Sequence, residues 1–199
     1  MRLNNINFNI KSFNFAKTLK GVGAIKSELG QEEVRIYHLD EVQDKKDLLK
    51  ARKSPIWKGS YYLDDTASFA DSYIKNYSVY SMENSSGDLL CYSVVDNNRS
   101  KESRLRLIET APKYSCYNRL QRNAKYIGET MMAFIAAQSG KKKFTIAEVA
   151  NRQTTKDFYY KGCKFIPHKI HGAILPDCNL RKLIDKNANH TGKKVEIIL

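Results

Sequence analysis

The stretch most able to do chemistry is Ile108-Glu109-Thr110-Ala111-Pro112, followed by a loop and then by Ala124-Lys125-Tyr126-Ile127-Gly128-Glu129. A strand that feeds a helix N-terminus through a loop exposes backbone N–H groups, and the helix dipole there favours negative charge. Gly128 lets a ligand approach the backbone closely, and Arg122 and Lys125 add positive charge. A pyrophosphate is the natural guest of such a turn; the same residues also fit an ordinary helix entry. A second stretch holds Asn151 and then Phe158-Tyr159-Tyr160-Lys161-Gly162-Cys163-Lys164-Phe165. Cys163, His168, His171 and Cys178 lie close enough in sequence to raise a metal site. Their spacings fit no finger or ribbon pattern, so no metal is expected.

These residues need a scaffold, and the hydrophobic periodicity predicts one. Val34-Arg35-Ile36-Tyr37 alternates as a strand and reaches Leu39-Asp40, where a cap opens a helix over 40–50 that ends before Pro55. A second helix is expected over 66–73. Strands follow at 77–82 and 89–95, joined by a hairpin turn at Ser85-Ser86-Gly87. The strand at 104–110 is expected to place Leu105, Leu107 and Glu109 on one face. Ile127, Met131, Phe134 and Ile135 repeat at helical spacing, giving a core helix from 128 to 140. A strand at 144–149, a short helix at 155–161, a strand at 163–166 and a last strand at 195–199 complete the reading. Residues 1–31 form a distinct N-terminal segment with five Asn among the first fourteen positions and no acid before Glu28. Residues 32–199 are expected to form a single domain. The pattern is mixed α/β with one core, without the regular alternation of a doubly wound parallel sheet.

Composition bounds what such a chain can do. The sequence has 199 residues, 42% hydrophobic, with 34 Lys+Arg against 21 Asp+Glu for a net charge of +13. That length buries a core without covalent staples. No apolar run reaches membrane-spanning length, and no secretory signal is visible. Four cysteines without a CxxC pair read as reduced thiols in a cytoplasmic compartment. The charge favours an acidic partner: a phosphate ligand, nucleic acid or an acidic protein.

Taken together, the strand ending in Glu109-Thr110, the Lys125-Tyr126-Ile127-Gly128 turn and the Phe158-Tyr159 pair resemble the GNAT superfamily of acetyl-CoA-dependent N-acetyltransferases. The resemblance covers residues 33–166 in element order and is strongest over 108–165. It implies a mostly antiparallel mixed central sheet flanked by helices, an α+β arrangement. The family's pyrophosphate loop reads Arg/Gln-x-x-Gly-x-Gly/Ala. Ended at Gly128, that register puts Asn123 first and Tyr126 at the first glycine, so only the last position matches. Gly162 and Phe165 likewise miss the Gly-Phe spacing that usually follows the Phe-Tyr pair.

The resemblance implies acetyl transfer from acetyl-CoA to an amine acceptor, directly, in a ternary complex. An amine of pKa about 10.4 is almost wholly ammonium at neutral pH, so a base must take its proton. Glu109 is placed to do so; the rival role is lining an open sheet edge. Backbone N–H groups of the strand ending at Thr110 would meet the oxyanion, and Tyr159, or Tyr160 beside it, would protonate the departing thiolate. Thr110, Arg122, Lys125, Tyr126, Ile127, Gly128, Glu129 and Asn151 would line the cofactor. Tyr159 as a core tyrosine and Asn151 as a turn residue are the structural alternatives, and Trp57 either walls the acceptor pocket or anchors the early helices. The acceptor is a small-molecule, protein or RNA-borne amine, and a dimer is compatible with the family. Nonenzymatic nucleic-acid binding and a secreted effector role on the same fold are the competing functions.

Overall fold

The computed structural model of the chain describes residues 17–39, 45–60, 62–63, 76–98, 100–114, 124–140, 142–169 and 172–199. Its centre is one sheet. Strands β1 (Thr18–Ser27) and β2 (Gly30–Leu39) form a long hairpin, followed by helix α1 (Lys45–Lys53). Strands β3 (Ser78–Glu83), β4 (Leu89–Asp96) and β5 (Glu102–Thr110) run up and down beside them. The short β6 (Ala124–Lys125) leads into helix α2 (Ile127–Ser139), then β7 (Lys143–Ile146). Helix α3 (Gln153–Lys156) continues as a π-helical turn, Asp157–Gly162. Strands β8 (Ile166–His168) and β9 (Gly172–Leu175), helix α4 (Asp177–Thr191) and β10 (Glu196–Ile197) close the order. The strand order is β10-β1-β2-β3-β4-β5-β7-β9-β8, with β6 paired to β1. Every pair among these is antiparallel except β5 with β7.

Each face of the sheet carries its own core. On one face α2 and α4 cover Ile25, Val34, Ile36, Met82 and Leu105. On the other, α1 and the 3-10 turn Pro55–Trp57 bring Leu48, Ala51 and Trp57 against Leu39, Val79, Tyr92 and Val94. Seven of the thirteen positions of α2 are buried apolar side chains, from Ile127 to Ala136, so the helix is held by packing on almost every side. It approaches β1 closely because Gly21 and Gly23 lack side chains. A Cβ at Gly21 would lie 2.7 Å from the Phe134 ring, and one at Gly23 would lie 2.9 Å from Thr130 Cγ2.

Several expectations shift in register. The hairpin straddles Gln31, where the N-terminal segment was expected to end, and residues 18–27 pair within the central sheet. Glycines at 21 and 23 hid this strand, because they weaken the apolar alternation that marks one. Leu105 and Leu107 do not share a face. A bulge at Arg106 sets Val94 opposite Leu107 but Val95 opposite Leu105, so Leu105 packs under α2 and Leu107 on the α1 side. The strand expected at 144–149 stops at Ile146. That expected at 163–166 starts only at Ile166, because Lys164 turns the chain at φ 63 and the Phe165 N–H bonds back to Tyr159 O. Helix α4 was not expected at all. Asp40 and the expected helix at 66–73 lie outside the described residues.

Candidate functional site

The parallel pair β5/β7 makes the opening. Glu102–Leu105 pair with Lys143–Ile146, and the Ala147 N–H reaches Leu105 O at 2.9 Å. Beyond that bond the ladder ends. Residues 106–110 continue along β4, while the chain leaves β7 toward α3. The bulge at Arg106 falls at the point where the parallel ladder ends. The result is a wedge in the sheet: among the described residues, no strand pairs with the β7-facing edge of β5 beyond Leu105.

Glu109 stands on that wall, on the α1 side. The Ser60 hydroxyl donates to both carboxylate oxygens at 3.0 Å, and the Tyr92 hydroxyl donates to Oε2 at 2.9 Å. The Tyr62 N–H points at Oε1 from 3.5 Å. Tyr92 itself is fully buried, and its ring leans on Trp57 at 5.6 Å between centroids. Trp57 is buried and donates its indole N–H to Leu89 O at 2.8 Å. It fixes the turn that carries Ser60 against the sheet; the second of the helices it was expected to anchor lies outside the described residues. The carboxylate is therefore aimed, and a charge held by several donors keeps one orientation.

The α2 turn forms the other side. Tyr126 is its N-cap, at φ 68 and ψ 10 in the left-handed region. That is the conformation glycine adopts without penalty, and Tyr126 is the position where the resemblance calls for glycine. The Tyr126 side chain makes no capping bond, and the first N–H groups, at Ile127, Gly128 and Glu129, have no intrahelical partner. Gly128 packs between the walls of the wedge: a Cβ there would lie 3.3 Å from Thr110 Oγ1 and 3.5 Å from the Phe158 ring. Lys125 is exposed and sits directly across from the exposed Lys26 of β1, adding positive charge beside the turn. The Glu129 side chain turns away from the wedge, its Oε1 2.8 Å from His190 Nδ1 and its Oε2 3.4 Å from Lys186 Nζ. A pyrophosphate could be held by these features: N–H donors without intrahelical partners, a helix N-terminus and nearby lysines.

Tyr159 lies in the π-helical turn and is buried, its ring edge-on to Phe158 at 5.1 Å and to Phe165 at 6.0 Å. Burial pushes its phenol above the ordinary range, with Cys163, Cys91 and Tyr62 adding to the shift. Its proton is thus firmly held. Cys91, opposite Thr110 in the ladder, is fully buried, and burial likewise drives its thiol up. Cys163 is pushed up to about 12, chiefly by burial. Neither thiol is a nucleophile in this setting.

The structure brings Glu109, Thr110, Gly128 and the Phe158–Tyr159 segment to one wedge, with Lys125, Tyr126 and Ile127 at its mouth. Asn151 is exposed on the bend between β7 and α3. Arg122 lies outside the described residues. Cys163 is buried and Cys178 exposed, and among the described residues no three metal-ligating side chains converge. Ser60, Tyr62 and Tyr92 were not found from sequence. They sit 49, 47 and 17 residues from Glu109, and nothing local marks them.

No protein-family model matches the sequence, and a sequence search matches no curated protein. Solved structures do match in shape. A protein assigned to the GNAT family of acetyltransferases from Desulfovibrio desulfuricans is 14% identical, with a TM-score of 0.50 over 71% of this chain and 94% of that one. An assigned acetyltransferase from Exiguobacterium sp. 255-15 is 10% identical, with a TM-score of 0.49 over 75% and 97%. A variant of spermidine N-acetyltransferase from Vibrio cholerae is 10% identical, with a TM-score of 0.46 over 71% and 89%. The first of these establishes a GNAT-like fold for this chain.

Proposed function

We propose that this protein is an N-acetyltransferase that moves an acetyl group from acetyl-CoA to an amine by direct transfer. The observation that carries the reading is the wedge itself. The β5/β7 ladder parts after Leu105, with an uncapped helix turn at its mouth and an oriented carboxylate on its wall. Bound acetyl-CoA supplies an acyl group on a thiol leaving group.

The chain's own residues divide the remaining work. The N–H groups of Ile127, Gly128 and Glu129 bind the diphosphate. Glu109 accepts a proton from the incoming ammonium, at its carboxylate or through one water, while Ser60 and Tyr92 keep it aimed. The edge of β5 beyond Leu105, where the β7 ladder has ended, offers N–H donors to the carbonyl oxygen as charge gathers there. Tyr159 keeps a phenolic proton within the wedge wall for the sulfur that departs. Cys91 and Cys163 stay protonated, which favours direct transfer over a thioester on the protein.

The charge of +13 favours an amine carried on an acidic protein or on RNA over a free polyamine, which the same field repels. The test is thiol release from acetyl-CoA in the presence of amine panels, free, on peptides and on RNA. Amine-dependent release supports the reading. Salt-sensitive nucleic-acid binding with no thiol release and no CoA binding would replace it with a nonenzymatic role.

A further inference from the structure

The first turn of α2 contains a contradiction for an anion site. Glu129 puts a carboxylate within one residue of Gly128, where negative charge would oppose a bound phosphate. The carboxylate is nearly buried, with side-chain exposure of 10%, and it faces α4. His190 Nδ1 meets Oε1 at 2.8 Å and Lys186 Nζ meets Oε2 at 3.4 Å. These two residues are one helical turn apart, so they reach the same side of α4. Each makes a second contact. The Lys186 ammonium donates to Gly162 O at 2.8 Å, at the end of the π-helical turn that carries Phe158 and Tyr159. The His190 ring stacks on Tyr126 at 4.6 Å and 26°, against the residue held in the left-handed conformation. Deeper in the same helix pair, Asn187 donates to Thr130 Oγ1 at 3.0 Å, and Thr130 donates to Ala24 O at 2.9 Å. α4 is thereby fixed relative to α2 and β1 independently of the Lys186 and His190 contacts.

We infer that Lys186 and His190 are positioning residues for the acyl-donor site. Lys186 sets a positive charge against Glu129, His190 hydrogen-bonds it, and together they draw it away from the mouth and tie the anion-binding turn to the segment bearing Tyr159. The inference rests on the acyl-CoA reading above. Lys186 is the hub, because one ammonium joins the first turn of α2 to the end of the π-helical turn. His190 holds the strained Tyr126 turn that leads into the first N–H groups of α2.

The experiment is calorimetric titration with CoA and with pantetheine, which lacks the diphosphate. It is run on wild type, Lys186→Met, His190→Ala, His190→Asn, and Lys186→Met combined with Glu129→Gln. Thermal melting of each variant runs alongside. Lys186→Met is expected to weaken CoA about tenfold, the scale of one charged contact, and to leave pantetheine unchanged. Removing the stranded carboxylate with Glu129→Gln is expected to restore most of that loss. His190→Asn, which keeps a donor near the Nδ1 position, is expected to bind CoA better than His190→Ala. A merely structural role would weaken both ligands together and would not be rescued by Glu129→Gln. That pattern, or unchanged CoA affinity in Lys186→Met, overturns the inference while leaving the acyl-CoA reading intact. Absence of CoA binding in the folded wild type overturns both. Should Lys186→Met melt before titration, Lys186→Gln with the same Glu129→Gln partner provides the comparison.

Discussion

Replacing Glu109 by Gln removes a charge while keeping the shape of the side chain. Three donors converge on the carboxylate: Ser60 Oγ at 3.0 Å, Tyr92 Oη at 2.9 Å and the Tyr62 N–H at 3.5 Å. The amide keeps one acceptor oxygen and sets an NH2 against the remaining hydroxyl, which must rotate to accept. One charge-assisted bond becomes a neutral one, a loss of about 1 kcal/mol of stability. In a domain of this size that lowers Tm by about 2–4 °C. The catalytic effect is much larger. Loss of a positioned general base typically costs about 10²- to 10⁴-fold in rate, or roughly 3–5 kcal/mol at the transition state. The acyl-donor turn is untouched, so acetyl-CoA affinity should hold. The assay is initial-rate thiol release at saturating acetyl-CoA with the acceptor found in the amine panel, paired with calorimetry. A variant within threefold of wild type, folded and binding acetyl-CoA normally, would refute Glu109 as the base.

Tyr92→Phe and Ser60→Ala each remove one donor from the same carboxylate. Each should lower kcat/KM by about tenfold while leaving the KM for acetyl-CoA unchanged, since only orientation is lost. Gly21→Ala places a Cβ 2.7 Å from the Phe134 ring and 2.9 Å from Glu196 O. Overpacking of that kind costs about 1–3 kcal/mol, visible as a lower urea midpoint at constant slope. Cys91, Cys163 and Tyr159 all have folded-state pKa values raised by burial, Cys163 to about 12 from an ordinary 9.0. The folded state therefore holds these protons more tightly than the unfolded one. The stabilisation is complete below the unfolded values and is lost as pH rises through the folded ones. Each group should remove about 1.4 kcal/mol per pH unit between its unfolded and folded values, the cysteines from about pH 9 and Tyr159 from about pH 10, and Cys163→Ala should flatten the decline of Tm with pH.

The parts of the fold legible in sequence were those with strong local signals. Alternation in 34–37 and 89–95, and the 3.6-residue repeat of Ile127, Met131, Phe134 and Ile135, reflect burial on one fixed face or stripe. The elements missed were set by tertiary contact. β1 carries glycines where α2 presses against it, and α4 carries Asn187 and Thr191 at buried positions, so its apolar stripe is interrupted by polar residues that hydrogen-bond inside the core. The local signal for α4 is Pro176-Asp177 at its start and Gly192 at its end. In the site, Glu109 and Gly128 stood out because each belongs to a strand-to-helix turn. Ser60, Tyr92, Lys186 and His190 did not, since their roles exist only once remote strands and helices meet. The bulge at Arg106 changes which face the flanking residues occupy, and no composition rule marks a bulge of this kind.

On the proposed reading, the β5/β7 wedge and the α2 turn hold an acyl-CoA by its diphosphate and its thioester arm. The most direct measurement is the amide spectrum of isotope-labelled protein titrated with CoA and, separately, with pantetheine. CoA is expected to shift the Ile127, Gly128 and Glu129 amides together with those of Leu107 to Thr110, and pantetheine only the second group. Shifts confined to other surfaces, or a spectrum unchanged at millimolar CoA, would contradict it.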